Sequence, residues 1–277
     1  MNHKLIMPVV FSLLLLVASE AVQSQPANPC GVVNRSFASG ERLVFEISYT
    51  WLFIWTDVGS AELAVNTENR FGRDLLHLKA SGKTHTFYNW FFEVHDLYET
   101  WVDPVTVEPV YFNRDIYEGG FTKENEYFYD WNKNQVAIRV RRKKGPNRYD
   151  TLSVSRCTYD VISAVYAARN LDFSGIKPGK TFPVDVLMDE EVYHIGYRFL
   201  GREEKRVSGL GRFRCLKFQI DVVAGDIFSG DQKLYLWVTD DANKMPVAVE
   251  TPIQVGSIKA RLSSYEGLRH PLSSKIP

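Results

Sequence analysis

The chain is poor in the features that announce chemistry. It has three cysteines in 277 residues, Cys30, Cys157 and Cys215, and none forms a CxxC pair or a Cys/His cluster. Thiolate metal sites are therefore disfavoured. Net charge is missing as well: 33 Lys and Arg balance 33 Asp and Glu. Nucleic acid would favour a basic surface, so no nucleic-acid partner is expected. There is no Gly-x-Ser-x-Gly elbow and no phosphate-cradling glycine loop. His77, His85, His95 and His194 are scattered, with no i, i+4 pair on a helix. The expectation is a protein that is not an enzyme and carries no cofactor and no metal, with a hydrolase of unassigned class ranked third.

Long apolar runs are also scarce. The run Leu5–Ala18 ("LIMPVVFSLLLLVA") follows a basic start, Met1–Lys4, and precedes the small-residue exit "SEAVQSQ". It is broken by Pro8 and is short for a transmembrane span, so residues 1–24 read as an export signal with Val22-Gln23-Ser24 at the cleavage site. Lipid attachment would need a cysteine directly behind the run, and Cys30 lies well beyond it. The expectation is an exported protein without a transmembrane span in the mature chain, periplasmic if the source is Gram-negative. An oxidising compartment permits one disulfide and leaves one thiol over. Spacing does not choose the pair; Cys30 with Cys157, tying the tail 25–39 to the start of a helix, is the candidate.

What the chain has in abundance is strand signal. "RLVFEISYTW" (Arg42–Trp51), "EVHDLYETWV" (Glu93–Val102), "VYHIGYRFLG" (Val192–Gly201) and "QKLYLWVT" (Gln232–Thr239) alternate or are rich in β-branched and aromatic residues. Turn residues punctuate them, and no long helical crossover intervenes, which favours antiparallel meanders. A single passage, "CTYDVISAVYAARN" (Cys157–Asn170), reads as a helix. Thr158 is placed as its N-cap and Asp160 as a first-turn charge. Val161, Ile162, Val165 and Tyr166 share one face, and Arg169 sits near the C-terminal end.

Landmarks recur on either side of this helix. Gly40 and Gly179 each open a strand, and Gly72 and Gly211 follow at the same distance. Trp101 then matches Trp237, Pro109 matches Pro246, and Ile116 with Gly119 matches Ile253 with Gly256. Proline is tolerated at a strand's first residue, so each Trp…Pro step reads as strand, turn and new strand. The predicted architecture is mainly β: two similar curved antiparallel units, half-barrel-like meanders at 40–155 and 179–268. A linking helix and turn at 156–178 joins them, and a tail at 269–277 ends the chain.

"LYLWVTDDANKMPVAVE" resembles the tryptophan–aspartate-turn–proline hairpin of the LolA/LolB-like bacterial lipoprotein carriers. That family folds as a curved, incomplete antiparallel barrel holding acyl chains, and the resemblance covers one hairpin. Over nearly the whole mature chain, "GERLVFEISYTW", "DVGSAELAV", "DLYETWVD", "YDVISAVYAARNLD", "LWVTDDANKMPVAVE" and "VGSIKARL" resemble an exported bacterial family, domain-of-unknown-function family 3108. This second resemblance implies no established activity.

Two aromatic stretches stand out. "WLFIW" (Trp51–Trp55) and "FYNWFF" (Phe87–Phe92) interrupt alternation with consecutive large apolar residues. Successive strand residues point to opposite faces, so a sheet buried on one face cannot hide such a run. Either both faces are covered by a thick core, or Trp51, Phe53, Trp55, Phe87, Trp90 and Phe92 wall an apolar ligand site or a partner surface. "VRRKKG" (Val140–Gly145) is a basic hairpin tip, or a contact for anionic lipid or polysaccharide. The favoured function is binding or carriage of a hydrophobic or envelope-derived ligand. The alternative is an envelope scaffold with a filled core that contacts another envelope protein.

Overall fold

The computed structural model describes residues 30–51, 54–88, 90, 92–141, 146–221, 233–253 and 256–277. The first meander is β1 (Arg42–Trp51), β2 (Ile54–Arg70), β3 (Arg73–Thr84), β4 (Val94–Val102), β5 (Pro109–Glu118), β6 (Phe121–Asp130), β7 (Gln135–Arg141) and β8 (Arg148–Ser153). A short strand, β9 (Thr158–Asp160), runs straight into α1 (Val161–Ala168). The second meander is β10 (Thr181–Met188), β11 (Glu191–Val207), β12 (Gly211–Asp221), β13 (Lys233–Thr239), β14 (Pro246–Pro252) and β15 (Ser257–Glu266), with a terminal β16 (Lys275–Ile276) on β12.

The two meanders are not separate sheets. They form one 16-stranded sheet, fifteen strands of which follow the order β8-β7-β6-β5-β4-β3-β2-β1-β15-β14-β13-β12-β11-β10-β9, with β16 paired to β12 off this path. The first and last long strands, β1 and β15, pair antiparallel at its middle, with Leu43 opposite Tyr265 and Ile47 opposite Ala260. Every ladder is antiparallel except β9 with β10. That parallel pair departs from the all-antiparallel expectation, and its reason is α1: a helix between two strands returns the chain to the same end of the sheet. Strands β8 and β9 hold the two free edges.

The halves carry matching local geometry. Gly40 and Gly179 both take positive φ (96° and 94°), which glycine alone adopts at little cost. Gly40 N–H donates to Val65 O, and Val65 N–H donates to Glu41 O; Gly179 with Phe199, and Phe199 with Lys180, make the same pair of bonds. A bulge falls after Trp101 and another after Trp237, where Pro109 opens β5 and Pro246 opens β14. Two residues before each proline stands a positive-φ residue, Val107 or Lys244. The Trp101 indole N–H donates to Glu68 at 2.7 Å beneath the Arg70 guanidinium; the Trp237 indole donates to Glu203 at 2.6 Å beneath the Lys205 ammonium.

The largest core lies in the concave face of the first half. Leu76, Leu78, Val102, Phe112 and Tyr127 pack there against Ile162, Ala164, Tyr166 and Ala167 of α1. The helix is clamped at both ends. Asp160, not Thr158, is its N-cap: the carboxylate accepts from Ile162 N and Ser163 N at 2.9 Å, and from the Thr100 hydroxyl on β4 at 2.8 Å. Thr158 belongs to β9 instead, because the chain is still paired with β10 there. At the other end the buried Arg169 guanidinium grips Glu41 through two bonds of 2.6 and 2.7 Å and donates to Asn243 O. A disulfide joins Cys30 to Cys157, just before β9, and closing so long a loop restricts the unfolded chain strongly.

Candidate functional site

The helix fills one concavity and leaves another open. On its far flank, Ile162, Val165, Tyr166, Ala168 and Arg169 face a cavity of ≈ 320 Å³. Its opposite wall comes from the second half and the sheet centre. Tyr197, Phe218 and Ile220 contribute from β11 and β12; Leu234, Leu236 and Val238 from β13. Pro246 and Val249 of β14, Ala260 of β15, Phe45 of β1 and Leu63 of β2 complete it, with Leu171 and Phe173 from the loop after α1. Period-2 alternation places these residues: Leu234, Leu236 and Val238 share the concave face, while Tyr235 and Trp237 turn outward.

The wall is apolar, yet many of its side chains are incompletely buried. Leu63, Tyr197, Ile220, Leu234, Leu236, Val249 and Ala260 all keep part of their surface accessible, whereas their first-half counterparts in contact with α1 are buried. Val165 is 39% exposed although it sits on the inner flank of the helix. Partial exposure of inward-facing apolar residues marks a hollow that opens to solvent. The polar groups on the wall are few. Burial pushes the Tyr166 and Tyr197 hydroxyls well above the usual phenol range. Burial also lowers the Lys244 ammonium, although Asp172 and Asp241 work in the opposite direction.

The sequence pointed elsewhere for this wall. Phe87, Trp90 and Phe92 are 74%, 80% and 46% exposed around the β3–β4 connection and line no part of the cavity. Phe53 and the side chains of Trp51 and Trp55 lie outside the described residues, as do Arg142–Gly145 of the basic run. Among the structural positions, Trp101 and Trp237 are buried, Pro109 and Pro246 open strands, and Tyr166 packs edge-on against Phe37. The cavity lining was not legible in the sequence because most of its residues are ordinary alternating Leu, Val, Ile and Ala. Only the curvature of the sheet and the position of α1 distinguish a lining leucine from a core leucine.

The histidines stay apart, each beside its own carboxylate: His77 with Glu68 and Glu99, His85 with Glu46, His95 with Glu93, His194 with Asp185. None of them lines the cavity. Among the described residues no group of three or more His, Cys, Asp or Glu is placed to hold a metal ion. Cys215 is a buried free thiol, pushed up by burial to about 12. No described helix is long and apolar enough to cross a membrane.

A second polar cluster lies inside the first half. Asp189 and Glu190, at the tip of the β10–β11 hairpin, reach Arg114 on β5, Lys123 on β6 and Arg148 on β8. The Asp189 to Lys123 bond is 2.5 Å. These ion pairs cross between strands that share no ladder, so they hold the two halves together by side chains.

No curated protein matches the chain. Among solved structures, it is similar to a beta-barrel-like protein of domain of unknown function DUF1849 from Brucella abortus. The TM-score is 0.57 at 8% identity, over 83% of this chain and 98% of that one. At that identity the likeness concerns the fold alone. The chain belongs to the family described as Protein of unknown function (DUF3108), whose model matches residues 44–263.

Proposed function

We propose that this member of the DUF3108 family is a non-catalytic binding or carrier protein for a hydrophobic ligand, exported to an oxidising compartment such as the periplasm. The observation that carries the reading is the hollow between α1 and the second half of the sheet. A water-accessible apolar wall is costly to leave wet, at roughly 25 cal/mol per Å², and a chain-like apolar guest removes that cost. Its volume, ≈ 320 Å³, falls at the low end of small-molecule sites. The polar groups of the wall are too few and too dispersed to assemble acid, base and nucleophile. The Leu5–Ala18 run and the Cys30–Cys157 bond support export.

Native mass spectrometry of gently purified protein tests this directly. The expected spectrum shows a mass above that of the processed chain, released by organic solvent, and absent in an Ala260→Trp variant whose indole fills the hollow. A clean unliganded mass, with no uptake of added decanol, would overturn the reading. The exposed aromatics Phe87 and Trp90 favour a second reading, docking to an envelope protein. Loss of envelope cross-links in Phe87→Ser/Trp90→Ser, with ligand retention unchanged, would support it.

A further inference from the structure

The polar groups that border the cavity offer little to a guest. Arg169 bonds the Glu41 carboxylate through both terminal nitrogens, and its Nε and Nη2 donate to Asn243 O at 3.2 and 3.0 Å. Lys244, in the β13–β14 turn, stands among the carboxylates Asp172, Asp240 and Asp241. Both cations therefore have their counter-charge inside the protein. Tyr166 is fully buried, so its hydroxyl presents no surface to the hollow. The Tyr197 hydroxyl is raised by desolvation alone, with no charged group contributing. Every other described lining residue is apolar.

A ligand head that entered this hollow would lose its water and find no partner among these residues. Burying an unpaired hydroxyl costs roughly tenfold or more in affinity, and burying an unpaired charge costs far more. The hydrocarbon part meets the opposite balance, gaining about fourfold in affinity for each methylene buried. The hollow is also open to water: Val165 lines it and is 39% exposed. A chain can thus lie along the wall while its head stays hydrated at the mouth.

We propose that the site holds the hydrocarbon part of an amphiphile and leaves its head in solvent, so that it selects guests by chain and not by head. This rests on the apolar-ligand reading above and names what that site discriminates. A head that is hydrated both before and after binding contributes little to the difference, whatever its charge or bulk. Chain length, by contrast, enters at full strength. The same wall therefore serves anionic, cationic and neutral amphiphiles alike.

Isothermal titration tests this, using protein freed of ligand by organic extraction and refolding. The probes are decanoate, decyltrimethylammonium and decyl maltoside, each below its micelle concentration; they share a chain and differ in head charge and bulk. Their affinities are expected to agree within about fivefold. The octyl analogue of each should bind about fifteenfold more weakly, two methylenes at about fourfold each. Lys244→Gln and Tyr197→Phe should leave this pattern unchanged, and Ala260→Trp should abolish binding of all three. A larger preference for one head, or one that Lys244→Gln or Tyr197→Phe alters, overturns the head assignment while the apolar-ligand reading stands. Exclusion of decyl maltoside alone would show that the head enters the hollow, and overturns it too. Binding of no probe, or equal binding of octyl and decyl chains, removes both readings. Binding that survives Ala260→Trp places the probe outside the cavity and also overturns the proposal.

Discussion

At the scale of single residues, burial sets the properties of the polar groups, and sequence alone shows the residue but not the burial. Asp160 was legible as a helix-start carboxylate; its role as N-cap was not, because Thr158 is an equally good capping residue until β9 is known to pair with β10. Asp96 is the clearest case with a pH signature. On β4 it points into the first half, and its carboxyl is raised to about 6, first by desolvation and then by Glu118. The folded protein therefore keeps a proton on Asp96 that the unfolded chain releases near pH 4, and stability from this group falls as pH rises between those values. Two units at about 1.4 kcal/mol each would give about 3 kcal/mol, which half-exposure to solvent reduces to about 1 kcal/mol. Urea unfolding at pH 4.5, 5.5 and 7 should show that decline in the wild type and lose it in Asp96→Asn. Parallel pH profiles for the two proteins would count against it.

Secondary elements were legible where one face is buried and obscure where neither is. The long strands announced themselves by alternation, and the Trp…Pro steps located β4–β5 and β13–β14 well. β8 did not: it is an edge strand whose side chains are nearly all exposed, so no period-2 signal survives in "RYDTLS". β9 has three residues and owes its existence to the helix that follows it. The β10–β11 turn shows why a local rule can be broken. Asp189 and Glu190 both take positive φ (50° and 69°), where Asn-Gly would be preferred. Their carboxylates are retained because they reach Arg114, Lys123 and Arg148 across the interior. Asp189→Asn keeps the turn geometry and removes the charge, leaving the Arg114 guanidinium buried without its partner. The expected loss is about 2–3 kcal/mol in denaturant unfolding, with faster amide exchange in β10 and β11. A variant as stable as the wild type would show that the hairpin tip is not what holds the halves together.

For the whole molecule, the decisive fact is that one helix serves two concavities. The halves share glycine turns, bulges and Trp–Glu contacts, so each curves enough to need something on its inner face. α1 packs into the first half and closes it as a core, with Leu78 fully buried among helix and strand neighbours. It turns only its far flank toward the second half, and the remaining space is the cavity. The sequence carries matched meanders and a solitary helix, which is enough to expect curvature and a linker. It does not carry which half the helix enters, because Val161, Ile162, Val165 and Tyr166 suit either. This asymmetry predicts unequal responses to the same truncation. Leu78→Ala removes packing on all sides and should cost about 2–5 kcal/mol. Leu236→Ala removes a side chain that already faces the hollow, so little new cavity surface is made and the loss should stay near 1 kcal/mol. Thermal unfolding of the two variants, freed of ligand by organic extraction and refolding, makes the comparison. Equal losses would mean that the second half is packed as tightly as the first, leaving no room for a guest.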